Sequence, residues 1–130
     1  MMQDEACLHH VGLHSRTKES ADLFFSKILQ IPLNRTFEVS ADMAESIFGI
    51  KNTVQVHVYE HQNTRFEVFI SEDLTRQPGY DHVCVDVKSK TEFQKRCIEH
   101  GLQPFVVMKR EKELLFVKDF SGNLFEIKER

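Results

Sequence analysis

The sequence predicts an α+β fold built from two βαβββ modules, and three observations support this prediction. Apolar residues alternate with polar ones along several short segments, a pattern typical of strands with one buried face. The segments follow the order strand, helix and three strands twice, over about 70 and then about 50 residues. A length of 130 residues, with 41% hydrophobic and 28% charged residues, suits one globular domain.

The first module is predicted to begin with a strand over residues 8–14. Its alternation places His10, Gly12 and His14 on one face of the sheet and His9 on the other. Because neighbours in a regular strand point to opposite faces, His9 and His10 are not expected to bind one ion together. We therefore interpret His9 as a structural residue.

A helix follows this strand, with Ser15 or Thr17 as its N-cap. Apolar residues three and four apart form one stripe from Ala21 to Leu29, and Pro32 ends the helix. The other elements predicted for this module are a strand over residues 33–39, a short helix over residues 41–48 ended by Gly49, a strand over residues 53–60 and a strand over residues 65–71.

A linker over residues 72–80, which contains Pro78-Gly79, separates the modules at about residues 8–71 and 81–129. In the second module, Ser89 or Thr91 caps the helix. Its predicted elements are a strand over residues 81–87, a helix that turns Phe93, Cys97 and Ile98 inward and ends at Gly101, and strands over residues 105–108, 114–118 and 123–128.

Composition and charge exclude several classes of protein. The net charge of −3 gives nucleic acid no broad basic surface, and no apolar run approaches the about 18 residues of a membrane span. Residues 1–5 carry two acids and no basic segment, so no signal peptide is expected. Three widely spaced cysteines indicate free thiols rather than a disulfide framework, which predicts a cytoplasmic protein.

Two histidines and two glutamates occupy equivalent places in the two modules. His10 and His82 begin the first strands, in His-Val-Gly-Leu and His-Val-Cys-Val. Glu67 and Glu126 lie in the last strands, in Phe-Glu-Val and Phe-Glu-Ile. Each is predicted on the face opposite its apolar neighbours, so two such faces together could form a cup with polar groups inside. This mixed nitrogen and oxygen donor set suits one divalent Zn, Ni, Fe, Co or Mn ion.

These motifs resemble the glyoxalase/bleomycin-resistance/extradiol-dioxygenase superfamily, also called the vicinal oxygen chelate superfamily. The resemblance extends over about residues 8–129, and within the superfamily the chain is most similar to glyoxalase I-like members. The motifs that show it are Leu8-His9-His10-Val11-Gly12-Leu13, Arg65-Phe66-Glu67-Val68, Asp81-His82-Val83 and the stretch over residues 116–127. The last stretch is similar to the family's ending Asp-Pro-Asp-Gly-Asn-x-x-Glu. In this chain Phe120 replaces the usual Pro, and Ser121 replaces the usual Asp.

The resemblance implies that His10, Glu67, His82 and Glu126 are metal ligands in a half-open, cup-shaped mixed sheet with helices outside. It implies a metal-dependent lyase or isomerase that acts on a small carbonyl compound through an enediolate-like intermediate. Glu126 and Glu67 are the candidate catalytic bases, and the choice between them stays open. It also implies a homodimer, and the site could lie within one chain or be shared between two.

The substrate stays open at this point. Short bacterial glyoxalase I carries Arg where this chain has His14, and Asn where it has Ser71, so glutathione is not assumed. The alternatives are a methylmalonyl-CoA epimerase-like enzyme, an extradiol dioxygenase, a thiol transferase, or a non-catalytic small-molecule binding or resistance protein. The residues predicted to contact the substrate are His14, Arg65, Phe69, Ser71, Cys84 and Asp86.

Overall fold

The computed structural model describes residues 6–72 and 79–130, so the predictions for residues 1–5 and most of the linker lie outside it. The first module contains β1 (Val11–Ser15), α1 (Lys18–Ala21) continued by a π-helical segment (Asp22–Ile28), β2 (Leu33–Val39), α2 (Ala41–Phe48), β3 (Val54–His61) and β4 (Thr64–Ile70). The second contains β5 (Val83–Val87), α3 (Lys90–Glu99), β6 (Phe105–Lys109), β7 (Lys112–Lys118) and β8 (Leu124–Glu129).

Each module forms its own four-stranded sheet with the same topology. The strand orders are β1-β4-β3-β2 and β5-β8-β7-β6. In both sheets the first and last strands of the module pair in parallel, and the other strands pair antiparallel. The α+β class and the two βαβββ modules are therefore confirmed.

Side chains at the helix N-termini explain where the helices begin. The Thr17 hydroxyl accepts a hydrogen bond from the Ser20 amide, and the Ser89 hydroxyl accepts one from Glu92. Thr17 and Ser89 are therefore the caps among the two alternatives predicted at each helix. Helix α2 ends at Gly49 as predicted, because its φ of 74° requires the left-handed region that glycine adopts without strain.

One hydrophobic core joins the two modules. Phe24 and Phe25 of the π-helical segment pack against β-strand residues of both sheets, together with Phe93 and Cys97 of α3. The rings of Phe66 in β4 and Phe125 in β8 have centroids 6.3 Å apart. The helix-side faces of the two sheets are thus turned toward each other. The opposite faces, called here the open faces, point away from this core.

The parallel ladders begin later than the strand pattern predicts. β1 starts at Val11, opposite Phe66, and β5 starts at Val83, opposite Phe125. The predicted strand starts at residues 8 and 81 are therefore wrong: β4 extends back to Thr64 and β8 to Leu124, but residues 8–10 and 81–82 do not pair with them. As a result, each predicted histidine ligand lies just before its strand rather than within it.

The predicted inward position of Ile98 is also wrong. Ile98 is 63% exposed, whereas Phe93 and Cys97 are buried. Phe93 and Cys97 are four residues apart and define the inner face of α3, and the next residue is rotated by about 100° away from that face. In the described residues, no helix is long and apolar enough to cross a membrane.

Helix α2 covers part of the open face of the first module. Ala44 is 2% exposed and packs with Val39 and Val56, while the rings of Phe48 and Phe69 meet edge to face at 5.2 Å. The second module has no corresponding helix between its second and third strands in the element order. The two open faces are therefore different in shape, although their strands have the same order.

Candidate metal centre

The first module brings His10 and Glu67 together at its open face. Glu67 lies in β4 directly opposite Gly12, and the loop before β1 places the His10 ring above it. His10 Nδ1 lies 3.5 Å from Glu67 Oε2. We call these residues the module 1 pair.

The second module brings His82 and Glu126 together in the equivalent position. Glu126 lies in β8 opposite Cys84, and His82 Nε2 lies 3.9 Å from Glu126 Oε1. His82 Nδ1 lies 2.9 Å from the Tyr80 carbonyl oxygen. Because a carbonyl only accepts, this bond assigns the proton to Nδ1 and leaves the Nε2 lone pair directed at the Glu126 side. We call His82 and Glu126 the module 2 pair.

One chain does not bring the four predicted ligands together. Within residues 6–72 and 79–130, no three His, Cys, Asp or Glu side chains form a group that could hold a metal ion. The reason lies in the fold, since each pair belongs to a different sheet and the two open faces point away from the shared core. The four-ligand site stays a prediction, and one chain presents it as two separate halves.

The donor chemistry of each half fits a divalent transition metal. Each pair contributes one imidazole and one carboxylate, and two such pairs would give two nitrogen donors, two oxygen donors and two negative charges. Both histidines are partly exposed, with 37% of the His10 side chain and 45% of the His82 side chain accessible. The hydrogen bond from His82 to a backbone carbonyl is the kind of outer contact that orients metal-binding histidines.

The predicted separation of His9 and His10 is wrong. Their Nδ1 atoms lie 2.8 Å apart, and the rings meet edge to face with centroids at 5.1 Å. The two residues precede β1, so the strict alternation of a strand does not apply to them. His9 thus contacts a predicted ligand directly and orients its ring.

Cations flank both carboxylates. Arg65 Nη2 lies 3.2 Å from Glu67 Oε2 and Nη1 lies 3.8 Å from Glu60 Oε2. Arg65 Nε is buried and has no hydrogen-bond partner in the described structure. In the second module, Lys128 Nζ lies 3.6 Å from Glu126 Oε2. The salt bridge between Arg65 and Glu67 is therefore shorter than the one between Lys128 and Glu126.

A cleft of about 980 Å³ lies beside the module 1 pair, between α2 and the ends of β1 and β4. It is called here the α2 cleft. Its lining includes the apolar residues Gly12, Ala44, Phe48, Ile50, Val54 and Phe69 and the polar residues His14, Asn52, Ser71, His82 and Asn123. Three of the predicted substrate residues, His14, Phe69 and Ser71, therefore line one cavity.

The other predicted substrate residues lie elsewhere. Cys84 and Asp86 lie on the open face of the second module, and neither lines the α2 cleft. Arg65 contacts Glu67 and Glu60 rather than the cleft. His14 Nε2 donates a hydrogen bond to the Ser71 carbonyl oxygen, so this nitrogen is already occupied. Desolvation first, and the charge of Glu126 second, raise the pKa of the exposed Cys84 thiol above its ordinary value.

The sequence identified residues 116–127 as a motif, but it did not reveal that the loop within this motif joins the second module to the end of β1. Asp119 Oδ1 accepts hydrogen bonds from the backbone amides of Ser121 and Asn123, and Asn123 Nδ2 donates to the His14 carbonyl oxygen at 2.7 Å. The Arg16 amide donates to the Ser121 hydroxyl. The motif Asp-Phe-Ser-Gly-Asn thus has a positioning role, which could have been found from its Asp and Asn at turn spacing.

Sequence reasoning missed the cleft residues Ala44, Phe48 and Ile50. The available signal was an apolar, amphipathic helix inserted in only one of two otherwise similar modules. Helix α2 packs against the open face of the first module rather than against the shared core, as the contact between Phe48 and Phe69 shows. A repeat comparison can reveal such an insertion, but not which face it covers.

Comparison with known proteins gives matches at the level of structure. No protein-family model and no curated protein matches the sequence. A glyoxalase family protein from Bacillus cereus has a similar structure, with a TM-score of 0.74, 18% identity, and coverage of 99% of this chain and 97% of that chain. A glyoxalase family protein from Enterococcus faecalis gives a TM-score of 0.72 and 18% identity, with 98% of each chain covered.

A third similar structure is the fosfomycin resistance protein FosX from Listeria monocytogenes. It has a TM-score of 0.71 and 13% identity, with 97% of this chain and 94% of that chain covered. A variant of that protein has been solved in complex with Mn(II) and 1S,2S-dihydroxypropylphosphonic acid. The resemblance inferred from the sequence motifs is therefore confirmed as a likeness of fold: this chain has the fold of these glyoxalase family proteins and of FosX.

Proposed function

We propose that the protein is a metal-dependent lyase or isomerase of the glyoxalase I-like kind, acting on a small carbonyl compound with adjacent oxygens. We further propose that it works in the cytoplasm as a homodimer. The observation that carries this proposal is the repetition of a His–Glu pair at one register position in both modules. Chance placement of surface charges would not produce the same pair twice on equivalent strands.

The proposed site uses two copies of the chain. Each copy offers its module 1 pair and its module 2 pair on two different sheets. A two-fold symmetric dimer could place His10 and Glu67 of one copy against His82 and Glu126 of the other, and it would form two such sites. A divalent metal held by these residues would supply polarisation of the substrate carbonyl.

Glu126 is the residue that we propose as the base. It would take the proton from the carbon next to the carbonyl and return it to the adjacent carbon. Glu67 is less suited to this role, because Arg65 lies 3.2 Å from its carboxylate and occupies an oxygen that would accept the proton. Lys128 lies farther from Glu126, at 3.6 Å, on a more exposed side chain.

The proposal is tested by complementation between two inactive variants. One variant carries His10→Ala and Glu67→Gln, and the other carries His82→Ala and Glu126→Gln. Each alone is expected to lose stabilisation by Ni²⁺, Zn²⁺ or Mn²⁺ in thermal unfolding. After unfolding and refolding together in equal amounts, half the dimers would be mixed and would contain one intact site, so about a quarter of the wild-type metal capacity should return.

The outcomes separate the alternatives. Recovery of metal binding in the mixture, but not in either variant alone, supports a site shared between copies. Wild-type protein that neither binds nor is stabilised by these metals would refute the metal-dependent proposal. Turnover is then followed with methylglyoxal, with and without glutathione, because the sequence does not decide whether the enzyme uses glutathione. Oxygen uptake with a catechol tests the dioxygenase alternative on the same metal-loaded sample.

A second candidate is a resistance enzyme that acts on a small anionic compound. The observation that favours it is Arg65, whose guanidinium lies beside Glu67 and stays 18% exposed. Such a group can bind a carboxylate or phosphonate. The likeness to FosX, a fosfomycin resistance protein, makes fosfomycin the compound to test with Mn²⁺. Its consumption by wild-type protein, and not by the Glu126→Gln variant, would favour this candidate.

A further inference from the structure

The α2 cleft has the properties of a binding site for an organic molecule. Its volume of about 980 Å³ is large enough for a drug-sized ligand. Its lining combines the apolar side chains of Phe48, Ile50 and Phe69 with polar groups. Apolar walls with polar groups beside them are typical of small-molecule sites.

The cleft begins next to the module 1 pair. Phe69 follows Glu67 by two residues on the same face of β4, a distance of about 7 Å along a strand. Gly12, directly opposite Glu67, also lines the cleft and presents no side chain between them. A molecule whose reacting end lies at Glu67 could therefore extend its body along the open face and beneath α2.

Helix α2 forms the outer wall of this cleft, and its packing keeps the wall in place. Ala44 is buried against the sheet, and Phe48 is held edge to face against Phe69 while half of it stays exposed. The small side chain of Ala44 leaves space beneath the helix. Because the second module lacks such a helix, this wall belongs to one open face only.

We propose that the α2 cleft binds the apolar body of the substrate, an aromatic or branched group attached to the oxygen-bearing end. The substrate class is then an aryl- or alkyl-substituted carbonyl compound rather than methylglyoxal alone. The position of the reacting end rests on the function proposed above. The binding of an apolar group in the cleft does not, because Phe48, Ile50 and Phe69, which would contact that group, are not among the proposed metal ligands.

The test compares two chelators that differ only in phenyl against methyl, benzohydroxamate and acetohydroxamate. Methyl resonances of the metal-free protein are followed by NMR at Ile50 and Val54, which line the cleft, and at Ile47 and Val106, which are exposed elsewhere. We expect benzohydroxamate to shift the cleft methyls and to bind at least about 10-fold more tightly than acetohydroxamate, as apolar pocket contacts do.

Variants assign this difference to the cleft. Phe48→Ala and Ile50→Ala should each lower the affinity for benzohydroxamate by about 10-fold and leave acetohydroxamate unchanged. The matched control is Met43→Ala, since Met43 lies on α2 but is exposed and does not line the cleft. Phe48 lies in α2 and Ile50 lies outside it. If both variants lose affinity, the loss cannot be explained by a loosening of α2 alone.

Three results would overturn the inference: equal affinity for the two chelators, shifts confined to Ile47 and Val106, or cleft methyls that respond to protein dilution and not to benzohydroxamate. The last result would mean that a second copy fills the cleft. A parallel Mn²⁺ titration keeps the two proposals apart. Failure to bind Mn²⁺ counts against the proposed function, whereas the chelator comparison in metal-free protein counts for or against the cleft alone.

Discussion

Glu67 and Glu126 occupy the same register position in two parallel strand pairs. Glu67 lies opposite Gly12 of β1, and Glu126 lies opposite Cys84 of β5. Because a parallel ladder fixes which side chains share a face, the duplicated topology alone brings one carboxylate to the open face of each module. The difference between the opposite residues has a consequence, since glycine leaves the first face open beside its carboxylate while cysteine fills the second.

Glu126→Gln is expected to reduce turnover by about 10²- to 10⁴-fold, the usual contribution of a catalytic base. Its effect on stability should stay small, because the carboxylate is partly exposed and its nearest charged contacts are at 3.6 and 3.9 Å. Steady-state turnover and thermal unfolding of the same preparation check this prediction. Glu113→Gln, on the exposed part of β7, is the matched control. Equal activity in the two variants would exclude Glu126 as base and as ligand.

Arg65→Met is expected to lower the stability of the metal-free protein but to strengthen metal binding. Removal of the guanidinium leaves the mostly buried Glu67 carboxylate without its closest cation, at a cost of about 1 to 3 kcal/mol. The same removal takes away a positive charge that repels the metal. Thermal unfolding with and without Mn²⁺ measures both effects.

Arg65→Lys is the control for this variant, because it keeps the charge and loses the forked geometry. It should retain most of the wild-type response to Mn²⁺. If Arg65→Met leaves the stabilisation by Mn²⁺ unchanged, then Glu67 is not a ligand of that ion.

The sequence was sufficient for the modules and for the two pairs. Alternation around Glu67 and around Glu126 identified their strands and faces, because each lies between residues that the core buries. Period-2 patterns report such one-sided burial directly. The short helix α2 was predictable as well, from its N-cap Ser40 and from Gly49.

The sequence was insufficient for the ends of strands and for the relation between the sheets. His9 and His10 continue an alternating pattern, but the parallel ladder with β4 begins only at the Val11–Phe66 pair, so they lie outside β1. The first residue of β1 thus depends on where it begins to pair with another strand, which alternation within one segment does not report. The shared core between Phe66 and Phe125 is a long-range contact, which no local pattern encodes.

Phe125→Ala is expected to destabilise the whole chain by about 3 to 5 kcal/mol, as for other buried aromatic truncations. We propose that residues 1–130 form one domain of two modules, because Phe125 contacts Phe24, Phe25 and Phe66 across the module boundary. Urea unfolding followed by hydrogen exchange in β3 and in β8 should therefore give one coincident transition, before and after the substitution. Two separate transitions would contradict the single domain.

The buried thiol of Cys97 predicts a loss of stability at alkaline pH. Burial raises its pKa from 9.0 to about 11. Between these values the unfolded chain loses the proton and the folded chain keeps it, so the free energy of unfolding falls as pH rises, by up to about 1.4 kcal/mol per pH unit. Below pH 9 this contribution is fully present.

Urea unfolding at pH 8, 9, 10 and 11 measures this loss in wild-type protein and in Cys97→Ala. Tyr59, whose pKa is raised by burial and by its hydrogen bond to Asp22, adds a decline above pH 10 in both proteins. The difference between the two curves therefore isolates the thiol. The variant should be less stable at pH 8, because a buried side chain is shortened, and this deficit should shrink toward pH 11. A deficit that stays constant over this range would mean that Cys97 ionises equally well in the folded protein.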